Sequence, residues 1–136
     1  MPDLKVFRRT CHLVATRTRG RVAEFRIADQ VTPNFHQGII DYRDRSVAVV
    51  LARDTGAVAV AEPRVVTGRF LEAGPLTFID FPELIGALKD NAKFTVLTAA
   101  ELAGPFDAAG WPELSDYDIK SWKPDTLGEA LFNYWD

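Results

Sequence analysis

The sequence predicts an α+β fold, with an antiparallel sheet from the N-terminal half covered on one face by short helices from the C-terminal half. Three observations carry this expectation. Runs rich in β-branched and aromatic residues dominate before residue 62, helix-capping patterns occur only after residue 79, and strand-helix-strand alternation is absent before residue 75. The last point argues against a doubly wound nucleotide-binding sheet.

Lys5 to Thr16 and Arg21 to Ala28 carry Val, Phe, Thr and Ile, and Thr18-Arg19-Gly20 between them has turn chemistry, so a first hairpin is expected with Gly20 at positive φ. In its second arm Ala23, Phe25 and Ile27 alternate with Val22, Glu24 and Arg26, which predicts one buried face and one wet face. Gln30 to Gly38 is polar and contains Pro33, and is expected as a loop. Ser46 to Ala52 and Ala57 to Ala61 flank Asp54-Thr55-Gly56, which is the clearest hairpin. Its first arm is apolar on both faces, so it belongs in the centre of the sheet. Pro63 ends the pair.

Leu76 to Ile79 reads as a short strand. Asp80, with Glu83 three residues on, is expected to cap a helix whose apolar stripe is Phe81, Leu84, Ile85 and Leu88. Gly86 weakens that helix by about 1 kcal/mol relative to Ala. Thr95 to Leu97 reads as a strand that enters a second capping box, Thr98 to Glu101, and Gly104-Pro105 stops the helix behind it. Asp118 to Trp122 reads as a strand. Thr126 to Glu129 is a third box, opening a terminal helix with the stripe Leu127, Ala130, Leu131, Tyr134 and Trp135.

At 136 residues and 47% hydrophobic content the chain suits a single domain with a genuine core. The lone cysteine, Cys11, excludes an internal disulfide, and no zinc-type spacing of Cys and His occurs. No leader-type apolar run and no stretch of about 20 apolar residues is present, so a cytoplasmic location is expected. The net charge of -3 hides a division. Residues 1–53 hold ten Lys/Arg against five Asp/Glu, whereas residues 54–136 hold six against fourteen. From Glu101 onward eight carboxylates face only Lys120 and Lys123. Such a tail either offsets the basic half across solvated surfaces or forms an acidic patch aimed at a basic protein.

Catalytic signals are sparse. Cys11 and His12 are adjacent, which in a strand would point them to opposite faces, and a core thiol is the expected state of Cys11. His36, in Asn34-Phe35-His36-Gln37-Gly38, is the best placed general base if that segment is a loop. Asp116 with Asp118, and Asp125 with Glu129, are carboxylate pairs, the second already explained by a helix start. Neither a phosphate-binding glycine loop nor an HxxxH pair occurs. No cofactor is implied. Arg8, Arg9, Arg17, Arg19, Arg21 and Arg26, with Phe7 and Phe25 nearby, form a local basic strip, but the net acidity of the chain makes nucleic acid an unexpected partner.

All three tryptophans lie in the last 26 residues. Trp122-Lys-Pro124, then Thr126-Leu-Gly-Glu129 and Leu131-Phe132-Asn133-Tyr-Trp135-Asp136, resembles the tail of small bacterial proteins, some of them immunity proteins of polymorphic or contact-dependent toxin systems. The resemblance covers roughly residues 76–136. It implies a non-enzymatic cytosolic inhibitor of one cognate toxin, often a nuclease, and it transfers no binding residue. An acidic pair interleaved with aromatics offers steering and hot spots together, so Asp116, Tyr117, Asp118 and Trp122 are the expected contacts of a basic protein partner. The alternative is a small enzyme or ligand binder using a pocket on the sheet with His36.

Overall fold

In the computed structural model, residues 4–27, 35–53, 55–63, 76–91, 94–106, 111 and 126–132 are described. The elements run α1 (Leu4–Arg17), β1 (Arg21–Arg26), β2 (Phe35–Asp41), β3 (Ser46–Ala52), β4 (Ala57–Ala61), α2 (Pro82–Asn91), β5 (Thr95–Val96), α3 (Ala99–Ala103) and α4 (Leu127–Leu131). The fold is α+β. Five strands form one sheet in chain order, with β1 to β4 antiparallel and β5 parallel to β4. Phe78 bridges Ala61 antiparallel, and the Glu62 and Ile79 amides donate to Thr77 and Val60 carbonyls. The outer edge of β4 is therefore shared between β5 and the segment expected as a strand over Leu76 to Ile79.

The segment Lys5 to Thr16, expected as a strand, is the helix α1. Its Val and Thr residues favour strands, but Phe7, Thr10, Cys11, Val14 and Ala15 recur with helical spacing and are all buried. Burying that stripe contributes about 1.5 to 3 kcal/mol per large side chain, which outweighs propensity differences of a few tenths per residue. The threonines adapt: Thr16 and Thr18 hydroxyls donate to the His12 and Val14 carbonyls, four residues back.

The exit from α1 also differs from expectation. Arg19, not Gly20, takes positive φ, at 64°. The Gly20 amide donates to the Ala15 carbonyl at 2.8 Å and the Arg19 amide to Thr16 at 3.3 Å, the two bonds of a Schellman cap. Gly20 is required for space, because a Cβ there would lie 2.7 Å from Ile40 and Tyr42. Tyr42 ties the cap to β2 through a 2.7 Å hydrogen bond with the Thr18 hydroxyl.

Both faces of the sheet are covered, which extends the expectation of a single covered face. Val47, Val49 and Leu51 of β3, with Ile40 and Val58, pack on α1 and α2. Ala48, Val50 and Ala52, with Phe35, Ile39 and the β4 alanines, pack on Leu97, Leu102, Leu131 and Phe132. In β1 the register shifts between Val22 and Glu24, so Val22 and Phe25 face the same core and the simple alternation expected there is broken. The strand-forming residues Phe35 to Gly38 correct the loop expected over Gln30 to Gly38. Period two holds in β2, but its central position buries both sides, so His36 and Gln37 sit at interior positions that composition reads as a loop.

Thr98 and Glu101 form the expected reciprocal capping box, with bonds of 3.2 and 3.0 Å, and Thr126 accepts from the Glu129 amide at 3.2 Å. Leu131 is fully buried, as the terminal stripe required, whereas Tyr134 and Trp135 lie outside the described residues. Relieving the left-handed strain at the α1 cap should stabilise the protein: Arg19→Gly is expected to raise the unfolding free energy by about 1 kcal/mol. Urea midpoints of the two proteins measure it, and a lower midpoint for the glycine variant would contradict the cap geometry.

Candidate functional site

Of the residues expected to touch a partner, Asp116, Tyr117, Asp118 and Trp122 all lie outside the described residues, as does the strand expected over Asp118 to Trp122. The carboxylates that are described in the C-terminal third, Glu101 and Glu129, belong to α3 and α4 on the face of the sheet opposite α1. On the α1 side of the sheet, α2 carries Glu83 and Asp90 with Lys89.

His36 is in β2, not in a loop, and is 6% exposed. Its neighbours in the strand fix its direction. Position 36 shares the face of Gly38 and Ile40, and Gly38 lies directly beneath α1, where an added Cβ would meet the Cys11 sulfur at 2.8 Å and the Phe25 ring at 3.2 Å. Burial, then the charges of Arg53 and Arg8, hold the His36 imidazole below its ordinary pKa. A neutral, enclosed imidazole suits a packed interior.

Cys11 is fully buried on the inner face of α1, and burial pushes its thiol up to about 12. A thiol that high holds almost no thiolate at neutral pH and is a poor nucleophile. His12 leaves the helix on its exposed side, with its ring 5.6 Å from Phe25. The sequence placed Cys11 and His12 on opposite faces of a strand. The helix separates them too, since adjacent positions diverge by about 100°.

Phe25 is the anchor of this region. Resting over Gly38, it meets Phe7 edge-on at 6.2 Å and carries the Arg8 guanidinium at 5.5 Å from its centroid. Beyond it, the outer face of α1 exposes Lys5, Arg8, Arg9, His12, Leu13, Thr16 and Arg17. The sequence marks these arginines as a basic strip but sets them on a hairpin, so their shared helical face is not visible there. On a helix, Arg9, Leu13 and Arg17 fall four apart in one line.

On the opposite side of the sheet a cleft of about 420 Å³ is lined by Leu76, Phe78, Leu102 and Ala103 with Thr126, Gly128 and Glu129. Its size suits a small ligand, but its walls are mainly apolar, and among the described residues Glu129 is the single charged one on them. His36 faces the other core and does not line it. Among the described residues no group of three His, Cys, Asp or Glu could hold a metal ion, and no helix is long and apolar enough to cross a membrane.

Two measurements test these environments. Because the folded state disfavours the protonated imidazole, the contribution of His36 is fully present above the unfolded pKa of about 6.5 and is lost as pH falls through that value toward the lower folded pKa. Urea midpoints between about pH 7.5 and 5.5 should therefore drop more for the parent than for His36→Gln. Parallel slopes would contradict the assigned environment. Separately, native Cys11 should resist an aromatic disulfide reagent at pH 8 and react at once in denaturant. Rapid labelling of the native protein would contradict its burial.

No family model, no curated protein and no solved structure matches this chain.

Proposed function

We propose that the protein is a non-enzymatic binding module that neutralises a basic protein partner, in the manner of an immunity protein paired with a cytoplasmic toxin. The observation that carries this reading is the eight-to-two excess of carboxylates over lysines from Glu101 onward. Field lines from such a segment speed the approach of a basic cleft, and the aromatic residues among the carboxylates supply contact area. Asp116, Tyr117, Asp118 and Trp122 are the proposed contacts. The interior state of Cys11 and His36 supports a binding role over a catalytic one, since both reactive side chains are used in packing.

The experiment begins with a pull-down from the native host and continues with association kinetics at two salt concentrations. Exposed charges act over a Debye length of about 8 Å at physiological ionic strength, so association should slow as salt is added. Asp116→Asn with Asp118→Asn should slow association at low salt by about threefold to tenfold, while the folding free energy changes by no more than about 0.5 kcal/mol. Equal and salt-insensitive rates for parent and variant would sink the acidic-surface reading. Failure to recover a protein partner would favour a small-molecule binder instead, for which the cleft between α3 and α4, and not His36, is the available geometry.

A further inference from the structure

We propose that the outer face of α1, continued into Arg19 at its C-terminal cap, is a binding surface for the phosphate backbone of double-stranded nucleic acid. This surface is separate from the acidic one proposed above. Between residues 4 and 23 the chain has six Lys/Arg and no Asp or Glu. Folding as a helix brings Lys5, Arg8, Arg9 and Arg17 onto its outer side, because the apolar stripe is turned inward. Arg8, Arg9, Arg17, Arg19 and Arg21 are all exposed.

The guanidinium groups are available for a ligand. Among the described residues, no carboxylate pairs with Arg9, Arg17, Arg19 or Arg21, and the ion pair that is present, Arg26 with Glu24 at 2.7 Å, lies further along β1. Asp41 stands opposite Arg21 in the sheet register, yet its carboxylate accepts a short hydrogen bond from the Ser46 hydroxyl. Arg8 is steadied over Phe25. Arg9 and Arg17 share a line along the axis and are about 12 Å apart by helical rise, a span over which one helix can reach several phosphates.

The same surface disfavours other polyanions. A membrane-surface helix inserts an apolar face, and that face of α1 is spent against the sheet. An acidic protein would need apolar anchors, and Leu13, at 44% exposure, is the one large apolar side chain exposed among the described residues. Single strands are held by stacking on exposed aromatics, which this face does not offer, whereas arginine forks match phosphate oxygens directly. The overall acidity of the chain does not prevent this. Of the described carboxylates, Glu101 and Glu129 belong to the layer on the opposite face of the sheet, and Glu83 and Asp90 on α2 beside α1 are accompanied by Lys89, so the cations of α1 keep an excess on their own side.

The test uses fluorescence anisotropy of a labelled mixed-sequence duplex of about 20 base pairs, titrated with the full chain at about 50 and 200 mM salt. Micromolar binding at low salt is expected, weakening about 100-fold at the higher salt if four phosphates are neutralised. Arg9→Gln with Arg17→Gln should weaken low-salt binding at least tenfold and lower the salt slope by about 2. Arg26→Gln should leave both unchanged. If the first pair lowers the unfolding midpoint, Arg9→Gln with Arg19→Gln serves in its place. Asp116→Asn with Asp118→Asn should not weaken duplex binding, so this surface and the acidic one succeed or fail separately. The proposal is overturned by no binding at low salt, by arginine variants that bind as the parent does, or by tighter binding to polyglutamate or to phosphatidylserine vesicles than to the duplex.

Discussion

The whole architecture depends on β3 being buried on both faces while paired on both edges. From Val47 to Ala52 every residue is inaccessible to solvent. Its backbone groups are used by β2 and β4, its valines and leucine meet α1 and α2, and its alternate residues meet the α3 and α4 layer. A strand in that position must be apolar throughout, because a polar side chain would lose its water and find no partner. Among the described residues the two helical layers pack on opposite faces of this strand and its neighbours, so both layers rest on the same six residues.

That arrangement also gives the molecule its electrical shape. A charge separated only in sequence would average out on a small globule. Here the basic segment forms the helix that covers one face, and the C-terminal segment supplies helices to the other. The sheet between them carries almost no charge in its central strands.

The sequence was most readable where local chemistry and tertiary demand agree. The hairpin from Ser46 to Ala61 combines β-branched runs with Asp54-Thr55-Gly56, and the box at Thr98 and Glu101 satisfies the same amides in the fold that it would in a peptide. It was least readable at Lys5 to Thr16, where residue type favours a strand and spacing favours a helix. Spacing prevails because the partner surface, the valine face of β2 to β4, exists only in the folded state. His36 and Gln37 misled for a related reason: their polarity suggests a loop, and nothing local reveals that the strand on either side will enclose them. Reading α1 as a strand keeps the basic strip on a hairpin, since the line through Arg9, Leu13 and Arg17 exists only at helical pitch.

A strand apolar on both faces has a consequence for how the chain reaches this state. The first four strands pair with sequence neighbours, so α1 and the sheet can assemble from residues 4–61 with short loop closures and little delay. The residues that cover the second face, Leu102, Leu131 and Phe132, come from the last third of the chain. During synthesis at about 5 to 20 residues per second, the half-built sheet would expose Ala48, Val50, Ala59 and Ile39 to the cell for several seconds. The segments Val47 to Ala52 and Ala57 to Ala61, uncharged and rich in β-formers, are then the sticky part of the molecule. The C-terminal helices act, in that interval, as a late-arriving cover whose loss would be felt first as aggregation of nascent chains and only second as a weaker native state.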